Sequence, residues 1–158
     1  MIDNYLEILE GSLQKKSVVL DEIIEYNKGQ EQLLKNEKVS IEDLDANMEQ
    51  KDGLIQKLME LDEGFEALYG RIKEQLSDNK DSYRMQIKRL QELISQITEK
   101  SVSVQAQEAR NKKLIEDYFL KEKSQIRQEK KALKVAYGYY KSMSNSGAVS
   151  SQFMDQKK

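Results

Sequence analysis

The chain has 158 residues, the length of one ordinary domain, with no Cys, His, Pro or Trp, and it is 34% charged and 38% hydrophobic. Without cysteine there is no disulfide, thiol nucleophile or zinc-thiolate site, and without histidine the commonest acid/base residue and metal ligand is missing, so most enzyme mechanisms are excluded. The formal net charge of −2 argues against a dedicated nucleic-acid binder, yet it is unevenly spread: residues 1–79 hold 9 basic and 19 acidic side chains and residues 80–158 hold 17 and 9.

An acidic first half and a basic second half either attract one another across a packed interface or are two solvated helix surfaces of opposite bias. The opening MIDNYLEILEGSLQKK carries acids and no apolar run of signal-peptide length. No stretch approaches the roughly 18 apolar residues of a membrane span. The expectation is a soluble cytoplasmic protein without membrane insertion. The remaining alphabet, rich in Glu, Lys, Leu, Gln and Ile, is that of long helices.

From the start, Leu6, Leu13, Leu20, Asn27 and Leu34 recur every seven residues, interleaved with Ile2, Leu9, Lys16, Ile23 and Gln30. This is the a/d seam of a coiled-coil-like helix with polar interruptions, and it predicts a first helix over 2–36. Gly29 loosens its last turns, since Gly inside a helix costs about 1 kcal/mol relative to Ala. Ser40 followed by Asp43 resembles a capping box and starts a second helix, predicted over 41–76.

The second helix carries Ile41, Met48, Ile55, Asp62, Tyr69 and Leu76 in one series and Leu44, Lys51, Leu58, Phe65 and Ile72 in the other. Both cross Gly64 without a phase shift, which predicts one continuous helix. Leu54, Leu61 and Leu68 widen the apolar face, as expected of a helix that touches two neighbours.

Ser77-Asp78-Asn79 is a cluster of turn and N-cap residues, after which the pattern restarts with Tyr83, Leu90, Ile97, Val104, Asn111 and Tyr118 beside Ile87, Ile94, Ser101, Glu108 and Ile115. Ser101, Glu108 and Asn111 either fix register within the seam or face solvent. Beyond residue 118 the phase slips by one, to Phe119, Ile126, Leu133 and Tyr140, while Glu122, Glu129 and Ala136 occupy the other seam series. The third helix is predicted over 80–141, roughly 90 Å long against about 53 Å for each of the first two.

The expected architecture is therefore all-α: three long helices in an antiparallel bundle over 1–141, the third longer and projecting, and a flexible tail over 142–158. Helices 1 and 2 cover helix 3 only to about residue 115. The segment 116–141 must then find a partner, because packing supplies most helical stability. In the tail, Val149, Phe153 and Met154 are the residues able to dock.

Paired carboxylates such as Asp62 with Glu63, or Glu116 with Asp117, are inevitable among 28 acidic residues and give no catalytic pattern. No cofactor or metal is expected: a helical di-metal site would use Glu-x-x-His, and no phosphate-cradling glycine loop is present. Lys112, Lys113, Lys121, Lys123, Arg127, Lys130, Lys131 and Lys134 make the third helix locally basic, but Glu116, Asp117, Glu122 and Glu129 interleave with them and dilute the field that nucleic-acid binding needs. Tyr137, Tyr139 and Tyr140 read either as protein-binding anchors or as a continuation of the seam.

The block Lys51-Asp-Gly-Leu-Ile-Gln-Lys-Leu-Met-Glu-Leu-Asp62 resembles the EK-x-x-LL-x-x-L-x-x-L signature that FlgN-type flagellar export chaperones carry on their second helix. Val104-Gln-Ala-Gln-Glu-Ala-Arg-Asn111-Lys-Lys-Leu-Ile115 is similar to that family's third-helix stretch, where an asparagine precedes an apolar pair. The endings Tyr139-Tyr140-Lys-Ser-Met143 and Ser151-Gln-Phe-Met-Asp-Gln-Lys-Lys158 also look like those of family members.

The resemblance implies a chaperone that binds the C-terminal helical regions of the hook-filament junction proteins FlgK and FlgL, prevents their premature assembly and delivers them to the export gate protein FlhA. The residues expected to form the partner-binding stripe are Phe119, Ile126, Leu133, Ala136 and Tyr140, with Tyr137 and Tyr139 as further candidates for substrate or gate contact. The expected state is a monomer or weak homodimer. The competing reading is a structural or adaptor coiled coil that dimerises through its C-terminal helix.

Overall fold

The computed structural model describes residues 1–121 and, beyond them, Gly138. Three helices follow in order: α1 (Ile2–Lys35), α2 (Ile41–Asp78) and α3 (Arg84–Lys121). Among the described residues there is no strand. The stretches 122–137 and 139–158 lie outside the described residues, and with them most of the predicted projecting segment and the whole tail.

Each boundary has a local cause. At the end of α1, Asn36 turns into an extended conformation while its amide still reaches the Leu33 carbonyl at 3.2 Å. The Asn36 side chain accepts from the Lys38 amide at 3.0 Å. Ser40 Oγ then accepts from the Asp43 amide at 3.1 Å, the N-cap bond expected from the sequence, and Glu42 and Asp43 place negative charge in the first turn of α2.

The second junction differs from the expected 76/80 boundaries. Helix α2 continues to Asp78 because Asn79 acts as a C-cap: its side chain donates to the Gln75 carbonyl at 2.7 Å and its amide to that of Leu76 at 3.2 Å. Lys80–Tyr83 are consumed by turns before α3 begins at Arg84.

Nearly every heptad position read from the sequence lies inside. Leu9, Leu20, Ile23, Leu44, Met48, Ile55, Leu58, Ile72, Leu90 and Ile115 are among the most deeply buried side chains of a single apolar core. Leu54, Leu61 and Leu68 are half-buried against it, which accounts for the third stripe on α2. Helix α2 is unbroken at Gly64.

The three helices are not equidistant. Helix α1 packs closely along both α2 and α3, while α2 and α3 scarcely approach one another at the backbone. Contacts of Lys16 with Asp62 and of Lys51 with Gln30 set α1 antiparallel to α2. Those of Lys100 with Ser17, and of Asn111 with Asn27 and Gln30, set α3 parallel to α1. Lys100 also reaches both oxygens of Asp21 at 3.0 Å, and Arg110 lies close enough to help hold Glu31 below the usual carboxylate range, after the nearer and stronger effect of Lys35. These are attractions between the basic second half and the acidic first, at exposed or half-exposed positions where each contributes little.

Inside the bundle, Lys16 and Asp62 form an ion pair at 2.6 Å. Burial pushes the Asp62 carboxyl above the ordinary aspartate value of 3.8, with Lys16 pulling the other way. Between 3.8 and the raised folded value, the folded chain therefore holds more proton on Asp62 than the unfolded chain does, and above that window the carboxylate pairs with Lys16. That contribution to stability is complete below 3.8 and is lost as pH rises through the raised folded value.

Two outcomes follow for stability. Gly64→Ala adds a methyl that meets nothing within 4 Å in mid-helix, so it should raise the free energy of urea unfolding by about 0.5–1 kcal/mol; a loss would show that α2 bends there. In a titration from about pH 7 to about pH 4, the stability of the wild-type chain relative to Asp62→Asn should increase as pH falls. An opposite slope would mean that the Lys16 field outweighs burial at this carboxyl.

Candidate functional site

Toward the α1–α2 turn, all three helices are tied together by a buried polar belt. Asn27 and Gln30 reach it from α1, Lys51 from α2, and Glu108 and Asn111 from α3, each at a seam position of its own helix. Lys51 is 1% and Glu108 4% exposed, and their charged atoms lie 2.6 Å apart across the wide α2–α3 gap. Only long side chains can bridge helices that stand this far apart at the backbone, which is why a Lys and a Glu meet here where Leu and Ile suffice along α1.

The amide side chains complete the belt. Gln30 Oε1 accepts from Lys51 Nζ at 3.1 Å and from Asn111 Nδ2 at 3.0 Å. Asn111 Nδ2 also donates to the Asn27 backbone carbonyl at 3.0 Å. Asn27 Nδ2 donates to Gln107 Oε1 at 3.1 Å, and Gln107 Nε2 donates to the Ile24 carbonyl at 3.3 Å. A shift of α3 by one turn along α1 would strip every one of these bonds that α3 makes, leaving only that between Lys51 and Gln30.

Burial holds the Lys51 ammonium below the usual lysine value, and the Glu108 carboxylate opposes that shift. Both charges are held in an interior that would solvate them poorly alone. The belt is thus a source of alignment, bought with stability.

Above the belt lies a closing apolar layer. One turn beyond Gln30 and Asn111, Leu34 and Ile115 follow, and Ile41, Tyr118 and Phe119 pack half-buried against the same core. The rings of Tyr118 and Phe119 meet edge to face with centroids 5.4 Å apart. Helix α1 ends at Lys35, so with the observed alignment its cover of α3 runs out near Tyr118. Helix α3 continues to Lys121, with Leu120 62% exposed.

Of the residues predicted to form the partner-binding stripe, Phe119 is placed on this closing layer, partly covered by the core. Ile126, Leu133, Ala136, Tyr137, Tyr139 and Tyr140 lie outside the described residues. Glu108 and Asn111, whose seam or solvent placement the sequence left open, are both in the seam. The pairing of Lys51 with Glu108 was not recognised from the sequence, although opposite charges at seam positions of two different helices were a signal for it.

Among the described residues no cluster of metal-binding side chains and no helix long and apolar enough to cross a membrane is present. Replacing one member of the belt pair should be severe: Lys51→Met leaves Glu108 buried and uncompensated, at a cost of about 3–5 kcal/mol. The double change Lys51→Met with Glu108→Leu should recover most of that loss in urea denaturation. Additive losses in the two single variants and the double would show that the pair is not coupled.

The FlgN protein family model matches residues 1–145, from the start of α1 past the end of the described part of α3. No curated protein and no solved structure matches the chain. The second-helix block around Lys51 and the third-helix stretch ending in Asn111 and Ile115, which carry the resemblance in sequence, meet physically in the belt. With a match over most of its length, the chain belongs to the FlgN family of flagellar export chaperones.

Proposed function

We propose that this chaperone works in the cytoplasm and binds the C-terminal helical segment of hook-filament junction proteins of the FlgK and FlgL type. By covering that segment it prevents premature assembly, and it hands its cargo to an export gate of the FlhA type. No catalytic step and no cofactor enters the reading.

One observation carries the location of the binding surface. Helix α1 ends opposite Tyr118, while the heptad of α3 continues in the sequence through Phe119, Ile126, Leu133 and Tyr140. This stripe runs past the last residue that α1 is able to cover. An amphipathic helix of the substrate, which would self-associate if left exposed, is the complementary surface for helix-in-groove recognition. Ala136 gives such a helix room to approach, Tyr140 extends the stripe, and Tyr137 and Tyr139 are assigned to contacts at its edge.

Each large apolar side chain covered on binding contributes about 1.5–3 kcal/mol, less the cost of ordering the segment. The resulting affinity is moderate and releasable, which suits a carrier that must let go. Phe119 differs from the others because it also closes the bundle core.

Calorimetric titration of the full chain with the C-terminal segment of its own organism's junction proteins should give micromolar or tighter binding. Ile126→Ser with Leu133→Ser should weaken it by at least about tenfold, corresponding to about 1.4 kcal/mol or more, and leave the helical circular dichroism of the bundle in place. Unchanged affinity in that variant would remove the stripe from the binding site, and absence of binding by the full chain would remove the substrate assignment.

A further inference from the structure

The wide seam between α2 and α3 is spanned at one end of the bundle by Lys51 and Glu108. At the other end it is open. There a groove of about 640 Å³ lies beside the α2–α3 turn. Its apolar wall is formed by Tyr69 and Leu76 of α2 and Ile87 of α3, and its rim by Lys73, Lys80, Arg84 and Lys88. All four cations are exposed, and the one carboxylate in the lining, Asp81, sits 3.2 Å from Arg84. Among the described residues Lys73, Lys80 and Lys88 have no carboxylate partner.

We infer that this groove docks an acidic, amphipathic polypeptide segment of a partner protein, at the end of the bundle opposite the proposed substrate stripe. The charge of the rim selects an anionic partner, and the apolar wall selects one with side chains to bury. A volume of this size falls within the range of about 300–1,000 Å³ in which ligand-binding clefts lie. A nucleic acid would need cations in a row along its phosphates and gains nothing from Leu76 or Ile87; the four cations here ring a short apolar slot.

The chain's own remaining segment is a poor occupant. Residues 122–158 hold eight basic and three acidic side chains, so that they are repelled by the rim. Along α3, Lys88 and Phe119 are 31 positions apart, or about 47 Å at 1.5 Å per residue. A partner in the groove therefore leaves the stripe free, and the two surfaces can be occupied together. The inference stands whether or not the stripe binds junction proteins, since it uses none of the same residues.

The test uses the full chain, labelled for amide NMR, and a synthetic helical peptide of about 20 residues with Leu and Phe on one face flanked by Glu. Shift changes should centre on Tyr69, Lys73, Ile87 and Lys88 and saturate. Lys73→Glu with Lys88→Glu, both at exposed positions, should reduce the affinity at least about tenfold without changing helicity. A matching peptide with Lys in place of Glu should not bind.

Three results would overturn the inference: shifts centred elsewhere, equal binding by the charge-reversed variant, or equally strong binding of poly-glutamate, which offers charge without side chains to bury. Tighter binding of an anionic lipid vesicle or a single-stranded oligonucleotide at the same residues would replace the polypeptide by that ligand. Concentration-dependent dimerisation abolished by the charge reversal would assign the groove to a second copy of the chain.

Discussion

The contact between Lys51 and Glu108 is the constraint on which the arrangement of the three helices depends. An apolar heptad specifies that two helices pack, but it tolerates a slide by one heptad, because Leu opposite Leu is nearly the same contact at the next level. A buried charge does not tolerate it. If α3 moves, Glu108 loses Lys51, Asn111 loses Gln30 and the Asn27 carbonyl, and two ions are left in an interior that solvates them poorly. The belt therefore fixes the alignment of α3 against α1 and α2, and with it the point at which α3 outruns its cover. The second buried pair, Lys16 with Asp62, fixes α1 against α2 in the same way farther down. Well-packed apolar residues in place of such a buried pair are often as stable or more so, and what the two pairs supply is discrimination among alignments.

Much of this was legible in the sequence, for a definite reason. Seven-residue spacing places a residue on the seam whatever its chemistry, so Lys16, Asn27, Gln30, Lys51 and Asp62 were assigned to the seam although they are polar, and all are buried. Spacing says nothing, however, about which seam residue of one helix lies opposite which of another. That depends on loop geometry and relative alignment, and so the pairing of Lys51 with Glu108 emerges only in three dimensions, while Glu108 and Asn111 stand at seven-residue spacings that left seam and solvent both open. Val19, beside the seam and buried, was not singled out because it belongs to neither series. At the second turn, a run of Ser, Asp and Asn suits the start of a helix as well as its end. The Asn79 side chain settles the matter by capping the Gln75 carbonyl, which lengthens α2 and delays α3 to Arg84.

The candidate binding site was legible only in outline. The change of heptad phase after residue 118 in the sequence falls at the level where α1 ends. The sequence assigned Phe119 to the outward stripe, and in the structure its ring is half-buried against the core beside Tyr118. The groove at the other end has no sequence signature, since Lys73 and Lys88 line one slot only once α2 and α3 are folded back beside their turn. The separation of α2 and α3 gives the belt its long side chains at one end and leaves a basic, apolar-walled slot at the other.

The central claim is that the partner is held beyond the belt, on the stripe that α1 leaves uncovered. Site-specific photo-crosslinking tests it most directly: a benzophenone side chain placed at Ile126 in one chain and at exposed Val102, beneath the belt, in another, each irradiated with the C-terminal segment of the organism's junction protein. Adducts from position 126 and none from position 102 are expected. Adducts from 102 with none from 126 would place the substrate on the side of the bundle and contradict the claim.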